Sequence, residues 1–225
     1  MPPKSRHKDE TPILPEVFVF ENADKDHWQC NDDAKTNIGF RRGSRVMLCG
    51  GPNQGKSNIC FNKITDSEPP YDLIYIYQAS DRSKEYNSIN YIRLTSIFDL
   101  PEQNEIPEDK KILVVFEDLD TLSERELKVL DVWFRFSCSH LGVCCVLICQ
   151  NFFSIPVKLR RKLDCWTLFL HGYDKLCLKH IPIPKEDREA IIRYFDRHGE
   201  NHMFITIDLA AEDRYVINNR LVLNG

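Results

Sequence analysis

The segment from Gly50 to Ser57 carries the residue types that bind phosphate groups. It reads GGPNQGKS and fits G-x-x-x-x-G-K-[ST], with Gly50, Gly55, Lys56 and Ser57 at the fixed positions. Glycines let successive backbone N–H groups surround an anion, and a helix beginning near Lys56 directs its positive end toward the same anion. Lys56 can then reach the outer phosphates, and the Ser57 hydroxyl can bind Mg²⁺. The expected nucleotide contacts are Gly50, Gly51, Pro52, Asn53, Gln54, Gly55, Lys56, Ser57 and Asn58.

Three acidic residues follow the apolar segment 111–116: Glu117, Asp118 and Asp120. Triphosphate hydrolysis needs one acid for magnesium and one group that orients or deprotonates water. In the preferred assignment, Glu117 and Ser57 bind magnesium and Asp118 activates water. In the other, Asp118 contacts magnesium and Glu117 or Asp120 is the base. Neighbouring residues of an extended strand project to opposite sides, so Glu117 and Asp118 cannot share one role unless the strand has already ended.

A polar amide ends the next apolar segment, GVCCVLIC (142–149), which is followed by Gln150 and Asn151. An amide at the tip of a buried strand beside the phosphate loop can bond to the γ-phosphate or to the attacking water. We therefore predict a catalytic set of Lys56, Glu117, Asp118 and Gln150.

The sequence argues against a GTPase. Residues 62–66, NKITD, resemble the guanine-binding pattern N-K-x-D but contain one residue too many, and they lie in the expected helix after the phosphate loop. No D-x-x-G directly follows the acids. A small-molecule kinase usually has an arginine-rich lid, and only the stretch LRRK (159–162) is comparable.

The elements that must position these residues alternate between apolar runs and helical patterns. Strands are expected at 45–49, 72–77, 111–116, 142–149 and 165–170, with two more in MFITIDL and RYVIN and an edge strand around PEVFVFEN (15–22). Helices are expected at 56–64, from the overlapping capping boxes at Thr121 and Ser123 to about Phe136, and at 185–198. The second should bury Leu127, Leu130, Val132, Trp133 and Phe134. The pattern predicts an α/β domain with a mainly parallel sheet whose strands are buried on both faces.

Composition limits the alternatives further. A chain of 225 residues is expected to form one domain, here 38–225, after an N-terminal arm, 1–37, that is partly disordered. The net charge of −4 excludes a generally basic nucleic-acid-binding surface but allows a local basic patch. The nine cysteines include no CxxC pair, and Cys144, Cys145 and Cys149 are expected as small buried hydrophobes of a reduced, intracellular protein. The longest apolar run is about half of a membrane span.

The order of these motifs resembles a known family. In this chain the order is the phosphate loop, YDLIYIYQ, LVVFEDL, FSCSHLGVCCVLICQNFF, the basic stretch before CWTLFL, MFITIDL and DRYVIN. This motif order resembles that of the genome-packaging ATPases of Polinton/Maverick elements, virophages and related large DNA viruses. These belong to the FtsK–HerA branch, which includes the poxvirus-type packaging ATPase. The resemblance covers residues 38 to 220. It implies a RecA-like (ASCE) P-loop fold, a three-layer sandwich, with ATP and Mg²⁺ as cofactors.

The resemblance also implies partners and a further residue. Such ATPases form hexameric or similar rings that thread double-stranded DNA, and a neighbouring subunit's arginine completes each ATP site. Arg160 and Arg161 are the candidates, with Arg135 as a third. Gln150 matches the strand-tip sensor, and residues 78–110 and 171–186 are candidates for DNA contact. A capsid protein at a portal or vertex would be the docking partner, in the cytoplasmic viral factory or nucleus of an infected cell or on the virion.

Three departures from the family pattern stand out. The acids occur in the order Glu-Asp, Ser139-His140 replaces the Arg-His of poxvirus-type members, and Asp164 stands where many relatives have asparagine. The leading hypothesis is an ATP-driven translocase that packages double-stranded DNA. The alternatives are a nucleotide-gated DNA-binding or scaffold protein with weak or lost turnover, and a small-molecule phosphotransferase.

Overall fold

The computed structural model describes residues 18–19, 40–78, 86–170, 175–199, 202–211 and 215–218, and within these it shows one sheet of nine strands. The predicted boundary at residue 37 and most of the N-terminal arm lie outside the described residues. The strands are β1 (Phe18–Val19), β2 (Arg45–Cys49), β3 (Leu73–Tyr77), β4 (Ile92–Leu94), β5 (Ile112–Phe116), β6 (Cys144–Cys149), β7 (Cys165–Leu168), β8 (Phe204–Asp208) and β9 (Tyr215–Asn218).

The sheet order is β1-β9-β8-β7-β2-β6-β5-β3-β4. All neighbouring strands are parallel except that β8 runs antiparallel to both β7 and β9. Strand β2, which leads into the phosphate loop, is therefore central, and β6 lies between it and β5, which leads into the acids. Since the carboxyl ends of parallel strands meet at one edge of a sheet, the order brings all three predicted site segments together.

The helices are α1 (Lys56–Thr65), α2 (Glu124–His140), α3 (Val157–Arg160) and α4 (Lys185–His198). Alternate residues of β2 enter different cores: Val46 and Leu48 pack with α1, whereas Met47 and Cys49 pack in the core that α2 and α4 cover. The same alternation in β5 and β6 buries both faces of the central sheet. The predicted three-layer α/β architecture is confirmed.

Helix α2 differs from its prediction in three ways. Its N-cap is Ser123, whose side chain pairs reciprocally with Glu126, whereas Thr121 ends a preceding 3₁₀ turn instead of capping the helix. The helix also continues to His140, four residues beyond the expected end. Val132, predicted to be buried, is 56% exposed, while Trp133 and Phe134 beside it are buried. One apolar position of the pattern therefore faces outward.

The predicted strands form within two residues of their expected bounds, and the edge strand around residues 15–22 is present as β1. Strand β4 was missed, because its three residues lie in a stretch without an apolar run. The eight cysteines in the described part of the chain are buried and form no disulfide there, Cys144, Cys145 and Cys149 among them. Burial raises the pKa of the Cys144 and Cys145 thiols, and the neighbouring Cys49 thiol together with burial raises that of Cys149.

Two further features concern the ends of the sheet and the helices. A buried ion pair between Arg41 and Asp208 joins the segment before β2 to the end of β8. Of the helices in the ranges described, none is both long and apolar enough to span a bilayer.

Candidate nucleotide site

The loop between β2 and α1 has a backbone suited to an anion. Gly55, the N-cap of α1, has φ 94°, and Asn53 has φ 58°. Because the N-cap is a glycine, no N-cap side chain accepts the N–H groups of the first turn of α1. Uncapped N–H groups together with the positive end of the helix dipole favour a bound phosphate.

Gly50 is required by a close approach of the chain. A Cβ at this position would lie 2.5 Å from Gln54 Oε1 and 2.6 Å from Phe169 Cβ. The Phe169 N–H donates to the carbonyl of Cys49 at 3.0 Å, which holds the chain after β7 against the loop. On the other side, His202 Nδ1 lies 3.2 Å from the Gln54 carbonyl oxygen. Phe169 and His202 were not identified from the sequence.

Lys56 is the first residue of α1, and its side chain contacts the loop. Its Nζ donates to the carbonyls of Gly50 at 2.9 Å and Gly51 at 2.8 Å, and the residue is only 9% exposed. Burial lowers the pKa of Lys56, and the nearby carboxylates of Glu117 and Asp118 oppose that shift. The ammonium is thus held beside the loop by neutral carbonyls, which a phosphate could replace.

Glu117 brings the end of β5 to the phosphate loop. It is 4% exposed, and its Oε2 accepts a hydrogen bond from the Ser57 hydroxyl at 3.4 Å. Its Oε1 accepts the Tyr86 hydroxyl at 2.5 Å. Burial raises the pKa of Tyr86 well above its usual value. Tyr86 was also missed, because it lies 31 positions before Glu117 in the sequence with no local motif around it.

Asp118 is oriented differently from Glu117. Strand β5 ends at Phe116, and Asp118 has a left-handed backbone, φ 50° and ψ 45°. Its carbonyl accepts the N–H and the hydroxyl of Thr121, at 3.0 Å and 2.9 Å. Because the strand has ended, the rule that neighbouring residues face opposite sides does not apply here, and the half-buried Asp118 side chain can serve the same site.

Gln150 follows β6 directly and is exposed. The neighbouring Cys149 carbonyl accepts the Gly50 N–H at 3.4 Å, so Gln150 begins next to the phosphate loop. Asp120 binds the same strand tip: its carboxylate accepts the backbone N–H groups of Gln150 at 2.6 Å and of Asn151 at 3.3 Å. We therefore interpret Asp120 as an anchor of this tip.

The three candidate arginines have different surroundings. Arg160 donates from Nε to the Ile155 carbonyl at 2.9 Å, and its guanidinium lies over the rings of Phe152 and Phe153 at 4.9 Å and 5.4 Å. Arg161, at the end of α3, is exposed, as is Arg135 on α2. Arg160 is thus occupied within its own chain.

The donor atoms fit a magnesium nucleotide. The Ser57 hydroxyl and the Glu117 carboxylate are hard oxygen donors on one side of the phosphate loop. Magnesium is usually held by one or two protein oxygens together with substrate phosphates and water. No group of three His, Cys, Asp or Glu side chains that could hold a metal ion occurs among the described residues.

The sequence matches no family model and no curated protein. Solved structures do match. B204, the DNA-packaging ATPase of Sulfolobus turreted icosahedral virus, aligns with a TM-score of 0.58 at 13% identity, over 80% of this chain and 98% of that chain. The sulfate complex of B204 from Sulfolobus turreted icosahedral virus 2, a genome-packaging NTPase, aligns with a TM-score of 0.54 at 15% identity. The alignment covers 80% of this chain and 97% of that chain. Its AMPPCP complex gives 0.53 at 15% identity, over 80% and 99%.

This chain has the RecA-like fold of the P-loop ATPases. The likeness to packaging ATPases that the motif order predicted is confirmed at the level of the fold. At 13–15% identity it does not transfer the roles of individual residues, so the assignments in this P-loop fold rest on the geometry above.

Proposed function

We propose that this chain is an ATP hydrolase that moves double-stranded DNA into a capsid, working as a homo-oligomeric ring. The observation that carries the proposal is the contact between Ser57 Oγ and Glu117 Oε2, 3.4 Å apart, beside a loop that also holds Lys56. It joins a phosphate-binding element to an acidic one. The fold shared with a viral DNA-packaging ATPase supports DNA as the cargo.

The phosphate loop and its two polar side chains bind the nucleotide. Backbone N–H groups between Gly51 and Ser57 surround the β-phosphate, and Lys56 exchanges its two carbonyl partners for β- and γ-phosphate oxygens. Ser57 and Glu117 are the residues that would hold Mg²⁺. When bound, Mg²⁺ neutralises charge on the β- and γ-phosphate oxygens.

Asp118 and Gln150 act on the attacking water. Asp118 follows the end of β5 and is half-buried, which leaves its carboxylate able to orient water and accept its proton. The exposed Gln150 amide, at the neighbouring strand tip, bonds to the γ-phosphate or to the same water. Arg161 of an adjacent subunit completes the site, because its guanidinium is exposed while Arg160 is engaged within the chain.

The proposal also covers the ring, the DNA that it moves and the place where packaging occurs. Duplex DNA passes through a central channel, a capsid protein docks the ring at a portal or vertex, and packaging takes place in an infected cell. The net charge of −4 does not oppose this, because only the channel-lining loops need to be basic.

The test measures nucleotide binding and phosphate release for the wild type, Lys56→Ala, Glu117→Gln and Asp118→Asn, each with and without duplex DNA. The wild type should hydrolyse ATP faster with DNA. Lys56→Ala should lose nucleotide affinity. Asp118→Asn should keep nucleotide affinity and lose about 100-fold or more in turnover, as expected for a general base. Glu117→Gln should weaken magnesium-dependent binding.

Other results of this binding and phosphate-release test would indicate other functions. Tight ATP binding by the wild type without phosphate release, with or without DNA, would favour a nucleotide-gated DNA-binding or scaffold protein. Transfer of the γ-phosphate to a nucleoside or metabolite would indicate a phosphotransferase. Unchanged ATP affinity in Lys56→Ala would contradict the proposed site itself.

A further inference from the structure

We infer that Tyr86 is a positioning residue for Glu117: its hydroxyl holds one carboxylate oxygen so that the other stays directed toward Ser57. The inference rests on the proposed nucleotide site, within which it assigns a residue that no motif contains. The two distances that define it are 2.5 Å from the Tyr86 hydroxyl to Glu117 Oε1 and 3.4 Å from Ser57 Oγ to Glu117 Oε2.

The need for such a partner follows from the torsions of a glutamate. The last torsion of a glutamate side chain is broad and roughly two-fold, so its own rotamer preferences do not fix the plane of the carboxylate. A glutamate also has one more rotatable bond than an aspartate at the same place. A fixed external donor on Oε1 removes this freedom before a cation arrives, and that lowers the entropy cost of binding.

Tyr86 is itself held in place. It is fully buried in the core on the α1 side of the sheet, and its ring meets that of Tyr91 edge to face, with centroids 6.3 Å apart. A ring packed this way keeps its hydroxyl in one position, which is what a positioning residue requires.

The contact also links three separate parts of the chain. Tyr86 lies between β3 and β4, Glu117 follows β5, and Ser57 lies in the first turn of α1. The carboxylate therefore lies between a donor from the core and a hydroxyl from the phosphate loop. Residues that orient metal-binding side chains in this way typically change metal affinity by about 10- to 100-fold when they are removed.

Tyr86→Phe tests the inference, because it keeps the ring and removes only the hydroxyl. The measurement is the affinity for a fluorescent ADP analogue in EDTA and across a Mg²⁺ titration, which does not depend on turnover. The affinity for the ADP analogue in EDTA should stay within about two-fold of wild type. The Mg²⁺ concentration that gives half of the maximal change in this affinity should rise about 10-fold. Tyr91→Phe is the matched control, since it removes a hydroxyl from the neighbouring ring and should leave both values unchanged.

A double-mutant cycle separates positioning from a general packing effect. In a Glu117→Gln background, Tyr86→Phe should cause no further change in Mg²⁺ dependence, because the residue through which it acts is already altered. Turnover of the single variant Tyr86→Phe should follow its Mg²⁺ dependence, with kcat at saturating Mg²⁺ restored to near the wild-type value.

Two results would overturn the inference while leaving the proposed function intact. One is a Mg²⁺ titration of Tyr86→Phe that coincides with that of Tyr91→Phe. The other is an equal loss of affinity in EDTA and in Mg²⁺, which would mean that Tyr86 supports the whole loop. If the wild type binds no nucleotide under either condition, the proposed function fails, and the inference fails with it.

Discussion

The Asp120 carboxylate accepts the backbone N–H of Gln150, with 2.6 Å between Oδ2 and the nitrogen. Oδ1 accepts the N–H of Asn151 at 3.3 Å and also the Ser154 hydroxyl. One exposed side chain thus joins the turn after β5, which carries the acids, to the tip of β6. Hydrogen bonds to a charged acceptor are among the stronger ones, so this connection should fix where Gln150 lies relative to Asp118.

Replacing Asp120 by alanine should therefore affect catalysis more than binding. We expect ATP turnover to fall about 10-fold, equivalent to about 1.4 kcal/mol in the barrier, and ATP affinity to change less than two-fold. Steady-state kinetics and nucleotide titration measure the two effects. Asp109→Ala, a change at another exposed acid, is the control and should match wild type. A large loss of affinity in Asp120→Ala would show instead that the carboxylate supports the nucleotide directly.

Gly50 and Gly51 provide a matched pair for testing the phosphate loop. Replacing Gly50 by alanine would place a Cβ 2.5 Å from Gln54 Oε1 and 2.6 Å from Phe169 Cβ, whereas at Gly51 the nearest atom, Gln54 Cδ, is 3.6 Å away. Overpacking of this kind typically costs about 1–3 kcal/mol. Gly50→Ala should lower the free energy of unfolding by that amount and weaken ATP binding, and Gly51→Ala should do neither. Urea denaturation and nucleotide titration measure both, and equal behaviour of the two variants would contradict this account of the loop.

Much of the framework could be predicted because its signals are local. Strand β2 formed at 45–49 and α4 at 185–198, as the apolar patterns indicated, and the loop between β2 and α1 was marked by its own motif. The contacts around the acids could not be predicted in this way. Tyr86 reaches Glu117, and Asp120 reaches Gln150, across about thirty residues of chain, and only the folded sheet brings these pairs together.

Strand β4 and Val132 show two other limits of the sequence. A three-residue edge strand has too few positions to display an alternating pattern. Val132 fits the helical apolar pattern of α2, yet it is 56% exposed, whereas its neighbours Trp133 and Phe134 are buried. The spacing of apolar residues indicates which of them lie on one face of a helix, but the arrangement of the layers decides which of them are buried.

Asp164 should make the stability of the protein fall as pH rises from about 4 to about 6. Burial raises its pKa to about 6, although the Arg45 N–H and the charges of Arg41 and Arg45 lower it and Asp208 raises it. In the unfolded chain its pKa is about 3.9. The folded protein therefore binds this proton more tightly, and the stabilisation by the protonated form is lost through that pH range.

Asp164→Asn removes this dependence and keeps an oxygen for the Arg45 N–H, which lies 3.0 Å from Asp164 Oδ1. Two pKa units correspond to about 3 kcal/mol. The side chain is 28% exposed, and solvent screening reduces the effect, so we expect a gain of about 1 kcal/mol at pH 7.5 and little gain at pH 4.5. Urea denaturation at both values measures the difference. A less stable variant at pH 7.5 would mean that attraction to Arg41 and Arg45 outweighs burial.

Arg161 should act in the ATP site of a neighbouring subunit. Arg160 is held by the Ile155 carbonyl and the rings of Phe152 and Phe153, whereas Arg161 is exposed at the end of α3. Arg161→Ala should lower turnover by about 1,000-fold, the lower end of the range for an arginine supplied in trans, without changing the free energy of unfolding. Arg160→Ala should lower the free energy of unfolding by about 1 kcal/mol through its lost ring contacts.

Mixing two inactive variants distinguishes an action in trans from one in cis. Lys56→Ala keeps Arg161, and Arg161→Ala keeps the phosphate loop, so a mixed ring contains interfaces at which both are intact. In an equal random mixture with head-to-tail contacts, about one interface in four is complete, and ATP turnover should recover to a comparable fraction of wild type. Mixing Lys56→Ala with Glu117→Gln should recover nothing, because both changes damage the site within one chain. If the first mixture also stays inactive while both variants fold and assemble, Arg161 does not complete a neighbour's site.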